Sequence, residues 1–189
     1  MLLVTFQLFA ILNPPSSVPT FLSLVGRGDE RRRARLARMA GWLVFALMMA
    51  FALLGNYLLM ALGVSLEALK LGGGLLLLAL SLQMILSSKD DEVGGEEDVV
   101  PVATPLLVGP GTVTTLVILS AYHPIHVLLV AVALASALAY VCLRFSTALV
   151  GLLGETGIKA ISRLMAVLMA AMAAEMIHEA LLAWGIAKN

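Results

Sequence analysis

Cysteine occurs once in this sequence, at Cys142, so neither an intrachain disulfide framework nor a Cys-rich metal site can form. Charge is scarce too: 13% of residues are Asp, Glu, Lys or Arg, against roughly 25% in a soluble domain. Twelve bases balance twelve acids, so no net field points to a nucleic-acid partner. With three histidines, no Ser-His-Asp or zinc-ligand arrangement rises above chance, and no enzyme activity is expected. Low hydrophobicity and high net charge, the two requirements of disorder, are both missing. What is abundant is apolar: 61% of 189 residues, with a mean hydropathy of +1.02. A soluble globule of this size would have to expose most of that excess. The chain therefore reads as an integral membrane protein in contact with a lipid bilayer.

Charge-free stretches run over Met1–Gly26, Met39–Leu66, Leu71–Ser88 and Val99–Leu143. A spanning helix needs about 20 apolar residues. The last stretch holds two spans, divided at Tyr122-His123-Pro124-Ile125-His126. Six spans are predicted, at 2–26, 39–62, 66–87, 99–121, 125–147 and 161–186. Residues 1–26 do not read as a signal peptide, because Asn13-Pro14-Pro15 interrupts the apolar run and no basic region precedes it. Ten basic residues flank the odd-numbered connections: Arg27, the five arginines from Arg31 to Arg38, Lys89, Arg144, Lys159 and Arg163. Only Lys70 and Lys188 fall on the other side. The positive-inside rule then places both termini outside the cytoplasmic (inner) membrane. The arginine run reads as a topology determinant and anionic-lipid contact. An acidic, glycine-containing linker occupies residues 89–96.

The prolines are unevenly placed. Pro14, Pro15 and Pro19 lie in the first span and Pro101, Pro105 and Pro110 in the fourth, leaving only Pro124 elsewhere. Superimposing Pro14 on Pro110 aligns two small, hydroxyl-rich segments. Leu82-Gln83-Met84-Ile85 likewise resembles Ala174-Glu175-Met176-Ile177. The expected fold is all-α: six transmembrane helices as two inverted three-helix repeats, residues 1–88 and 97–189, with helices 1 and 4 broken. Proline removes a backbone donor, so the breaks leave backbone groups unpaired near the membrane midplane. Second half-helices beginning near Ser16 and Thr112 would present positive ends to a carboxylate, and the carbonyls before each break would face a cation. Together they suit a zwitterion, an amino acid. The candidate binding residues are Asn13, Pro14, Ser16 and Ser17 at one break, and Gly109, Pro110, Gly111, Thr112, Thr114 and Thr115 at the other.

Asn13-Pro14 with Val18-Pro19, the Gly72-to-Leu78 run, Pro105-Leu106-Leu107-Val108-Gly109-Pro110-Gly111-Thr112, and the stretch from Ser162 to Ile177 resemble the MarC (SnatA-type, UPF0056) family over essentially the whole chain. Pro15-Ser16-Ser17 departs from that family's pattern of a small residue followed by Gly-Asn. The resemblance implies a transporter of small neutral amino acids, with glycine and alanine as typical substrates. Other members of the family have no established substrate.

Glu175 is the deepest acid and aligns with Gln83, which makes the two coupling candidates: a proton carrier, or a neutral hydrogen-bonded acid. Glu179 and His178 are expected to reach the outer headgroups. Gly72, Gly73 and Gly74 read as a helix-packing surface and lack the Lys-Ser/Thr of a phosphate loop. The whole reading is a secondary transporter coupled to H⁺ or Na⁺, with no other cofactor and no metal, and compatible with a homo-oligomer. The alternatives are a channel using the same breaks as its filter, or a non-transporting scaffold or regulator.

Overall fold

The computed structural model describes residues 1–25, 30–86 and 107–186. The 89–96 linker, Arg27, Lys89, Lys188, Pro101 and Pro105 lie outside the described residues. Among the described residues the fold is all-helical, with seven helices: α1 (Leu2–Leu12), α2 (Pro14–Val25), α3 (Glu30–Leu62), α4 (Leu66–Leu86), α5 (Pro110–Tyr122), α6 (Ile125–Arg144) and α7 (Ser146–Ala183). Four of them, α3, α4, α6 and α7, are long and apolar enough to cross a membrane, and the bent pair α1–α2 makes five. The predicted span 99–121 is described only from Leu107, and its helix α5 has 13 residues, too few to cross alone.

Two boundaries differ from expectation. The second span was expected to begin at residue 39, but α3 begins at Glu30, so Arg31 to Arg38 are helical rather than part of a loop. Arginine is a good helix former, and Glu30 in the first turn complements the helix dipole. The expected connection 147–161 is likewise helical: α7 starts at Ser146 and is interrupted only at Gly154, whose φ of 67° and ψ of 169° break the helix. The remaining turns are tight. Val64 N–H donates to Leu59 O (3.1 Å) and Gly63 N–H to Met60 O (3.3 Å) around the left-handed Gly63, closing α3. Ser65 Oγ then accepts Ala68 N–H at 3.2 Å and starts α4. His123-Pro124 separates α5 from α6 as expected.

The largest cluster of buried side chains, including Leu8, Met48, Leu116 and Leu128, joins α1, α2, α3, α5 and α6. A second, around Leu77, Met169 and Ala173, joins α4 to α7 and to Ile11 of α1. Each helix of the N-terminal half packs mainly on the C-terminal half: α4 on α7, α3 on α6 and α5, α1 on α6, and α2 on α7 and α6. The outer faces stay apolar, with Trp42, Tyr57 and Leu152 exposed. That is the inside-out economy of a bundle surrounded by lipid.

Candidate functional site

The first break is a single residue. Asn13 takes a left-handed conformation, φ 39° and ψ 57°, which its short amide tolerates better than most side chains, and α1 and α2 meet at a 43° bend. Asn13 N–H still donates to Phe9 O at 3.0 Å. Pro14 and Pro15 supply no N–H, so the carbonyls of Ala10 and Ile11 lose their i+4 donors at the end of α1. Ser16 turns both its N–H (3.1 Å) and its hydroxyl (2.8 Å) onto Asn13 O.

This geometry corrects one expectation. α2 begins at Pro14, not near Ser16, because a proline in the first turn gives up only an N–H that would be unpaired anyway. Two donor positions at that helix end are thereby deleted and a third is occupied. The α2 terminus is a poor seat for a carboxylate, and the α1 end is a ring of acceptors.

The second break has the opposite character. Gly109 is extended and Pro110 opens α5, also two residues earlier than expected. Val113 N–H donates to Gly109 O at 3.2 Å. Gly109 has no side chain with which to cap the helix, so the N–H groups of Gly111 and Thr112 find no acceptor within the helix itself. Thr112 Oγ1 donates to Leu107 O at 3.4 Å and Thr114 Oγ1 to Pro110 O at 2.9 Å.

Asn13, Ser17, Thr112, Thr114 and Thr115 are all buried, Asn13 to 2% exposure. Asn13 Oδ1, Ser17 Oγ and Thr115 Oγ1 have no hydrogen-bond partner among the described residues. Buried polar atoms are normally paired. Gln7 Oε1, on α1, is another such atom, and Arg33 Nε, Ser146 Oγ and Ser162 Oγ are three more away from the breaks. A lone amide in an apolar run carries no motif, so Gln7 has no signature in the sequence.

One helix runs past both breaks. Asn13 Nδ2 donates to Met84 Sδ of α4 at 3.8 Å. On the same helix, Leu77 Cδ2 lies 2.6 Å and Leu80 Cδ1 3.5 Å from where a Cβ on Gly111 would stand. α1 and α5 also touch each other directly. Glycine makes these approaches possible. A Cβ on Gly73 would run into the Thr114 methyl, and one on Gly74 would stand 2.9 Å from the Ala173 carbonyl of α7. Gly72 faces open space. Gln83 and Glu175 lie on exposed faces of α4 and α7.

One feature of the region was missed. Lys70, read as a charge on the outer side, is buried in α4, and its Nζ binds Glu179 Oε2 at 2.5 Å. Glu179 was expected at the headgroups. The ammonium also lies 4.4 Å from the ring centre of Tyr122, the last residue of α5. The clasp ties together α4, α5 and α7. Their charges are 109 positions apart, with no local signature. Among the described residues, no group of three or more His, Cys, Asp or Glu side chains is placed to hold a metal ion.

The model of the MarC family of integral membrane proteins matches residues 1–184. A UPF0056 membrane protein of Methanocaldococcus jannaschii is 32% identical, with 90% of both chains aligned. A UPF0056 membrane protein of Aquifex aeolicus is 31% identical over 93% of this chain and 89% of its own. The UPF0056 inner membrane protein YhgN of Escherichia coli is 29% identical over 94% and 93%. No solved structure matches the chain.

Proposed function

The chain belongs to the MarC family of integral membrane proteins, and from that premise we propose that it is a secondary transporter of small neutral amino acids, coupled to a proton or sodium gradient. The observation that carries this reading is the opposed chemistry of the two breaks. The α1 end offers acceptors: the carbonyls of Ala10 and Ile11, and Asn13 Oδ1, which has no partner among the described residues. The α5 end offers donors: the first-turn N–H groups of Gly111 and Thr112, with Thr115 Oγ1 one turn on. An ammonium group suits the first and a carboxylate the second. Walls this closely packed would exclude a substrate with a large side chain. Sodium would suit the same acceptors.

The contact pattern supports an architecture of six spans in two inverted repeats, with the linker over residues 89–96 between them. α1–α2 packs on α6 as α5 packs on α3, and on α7 as α5 packs on α4, while α3–α6 and α4–α7 pair across the halves. On this reading the chain lies in the cytoplasmic membrane with both termini outside. Arg31→Cys in a Cys142→Ser background should then label with membrane-impermeant maleimide only from the cytoplasmic face. Labelling from outside intact cells would reverse the orientation.

Transport is tested in proteoliposomes with labelled glycine and alanine under imposed H⁺ or Na⁺ gradients. Saturable, gradient-driven accumulation is the expected result. Thr115→Val keeps the shape of the side chain and removes its hydroxyl. It should raise the half-saturating concentration roughly fivefold, the worth of about one hydrogen bond of ~1 kcal/mol. A merely structural hydroxyl would leave uptake unchanged. Glu175→Gln in the same vesicles should abolish proton-driven accumulation while sparing exchange if Glu175 carries the proton; full accumulation would assign the coupling elsewhere. Absence of saturable uptake by the parent protein would overturn the transporter reading.

A further inference from the structure

A groove of about 260 Å³ runs along the outside of the bundle between α3 and α6, away from the two breaks. Trp42 and Phe45 line it from α3, and Ala133 and Ala137 from α6. Buried Gly41 and Ser136 and the ring of Tyr140 complete the lining, and the Ser136 hydroxyl donates to Met48 Sδ at 3.7 Å, so the groove is largely apolar. Arg38 stands at one end. From Arg38 to Phe45 the helix rises by about 10 Å, at about 1.5 Å per residue.

The charge at that end is organised. Arg31, Arg35, Arg38, Trp42 and Phe45 follow one another at i, i+4, i+7, i+11 and i+14, the spacing of a single helix face. The other arginines nearby are engaged. Arg33 binds Thr147 Oγ1 at 2.7 Å and Glu30 at 3.8 Å, and Arg144 binds Glu30 at 3.3 Å, fastening the start of α3 to the α6–α7 corner. Arg31, Arg35 and Arg38 are exposed and make no ion pair or hydrogen bond among the described residues. Trp42, 66% exposed and in edge contact with Phe45 at 5.8 Å, marks the interfacial level between the arginines and the apolar trough.

A row of guanidinium groups continued by an aromatic belt and an apolar channel matches one amphiphile: phosphate first, hydrocarbon beyond. We propose that this groove holds an acyl chain of one anionic phospholipid, whose phosphate is bound by Arg38. Guanidinium groups hold phosphate oxygens by paired, charge-assisted hydrogen bonds. The alternating small residues Ala133 and Ala137 leave the width that a methylene chain needs.

The protein has two tryptophans, so Trp184→Phe leaves Trp42 as the sole reporter. This protein is reconstituted into mixed phosphatidylcholine and phosphatidylglycerol vesicles, with bromine on the acyl chains of one lipid or the other. At equal bromine content, brominated phosphatidylglycerol should quench Trp42 with about a fivefold higher relative association constant, the size expected from one arginine near an anionic lipid. Arg38→Ala should bring the ratio close to one, and Arg38→Lys should keep part of it. Ala137→Leu, or Ala133→Leu if the former does not elute as a single species, should remove the preference by filling the groove with every arginine retained. Millimolar inorganic phosphate should leave the ratio unchanged, because the hydrocarbon is part of what is recognised; competition by it would mean a free-anion site and overturn the proposal. Equal quenching by the two lipids would do the same. So would an undiminished preference in the groove-filling variants, which would mean diffuse attraction to the arginine face.

Discussion

Gly74→Val is expected to lower the thermal stability of the solubilised protein by about 10 °C, corresponding to overpacking of roughly 3 kcal/mol in a chain of this length. The reason is the identity of the neighbour. A Cβ at Gly74 would meet the Ala173 carbonyl oxygen at 2.9 Å and the Ile177 N at 3.3 Å, both backbone atoms of α7, which cannot rotate away as a side chain can. α4 and α7 would have to separate along their shared length. Gly72→Val, two residues earlier and facing open space, is the control and should move the transition little. The measurement is recovery of monodisperse protein by size-exclusion chromatography after stepped heating in detergent. A Gly74→Val protein as heat-stable as the Gly72→Val protein would show that the helices do not approach this closely.

Glu179→Gln is expected to be the more damaging of two substitutions at the clasp, by about 2 kcal/mol against less than about 1 kcal/mol for Lys70→Met. The asymmetry follows from exposure: the Lys70 side chain is 8% exposed and that of Glu179 46%. Glutamine can still accept from the ammonium but carries no charge, so the buried Lys70 loses its counter-ion and keeps only neutral partners, the amide and the Tyr122 side chain. Removing the ammonium leaves a carboxylate that can turn toward the surface, and the methionine fills the space. The double variant Lys70→Met with Glu179→Gln should regain most of the stability lost in Glu179→Gln alone, because no unpaired charge remains. Equal losses in both single variants would place the pair in water rather than within the bundle.

Much of the fold was legible because the bilayer imposes a length on apolar segments. The spans predicted at 66–87 and 125–147 correspond to α4 and α6, the second ending three residues early at Arg144, and His123-Pro124 announced the turn between α5 and α6. The break at Asn13 was legible from Pro14 and Pro15, whose missing donors force it. The early start of α3 was not: a run of charges ends the apolar pattern that marks a span, yet arginine favours helix wherever its side chain reaches water or headgroups. Nor could the sequence tell the two breaks apart in chemistry. Both contain proline followed by hydroxyls, and the difference lies in whether a first-turn N–H survives. Pro15 deletes one where Gly111 keeps it. The Lys70–Glu179 clasp was invisible because a contact between distant helices leaves no periodic trace.

The packing of each half on the other has a consequence for biosynthesis. α4 finds its main partner only in α7, and α3 its partners in α5 and α6. At a translation rate of about 5–20 residues per second, α4 waits on the order of ten seconds for α7 to emerge. During that interval the first helices sit in the membrane with Gly73, Gly74 and Lys70 facing nothing they will later touch. The newborn N-terminal half therefore has to be sheltered, by the insertion machinery or by lipid alone, until the last helix arrives and the bundle closes as one unit.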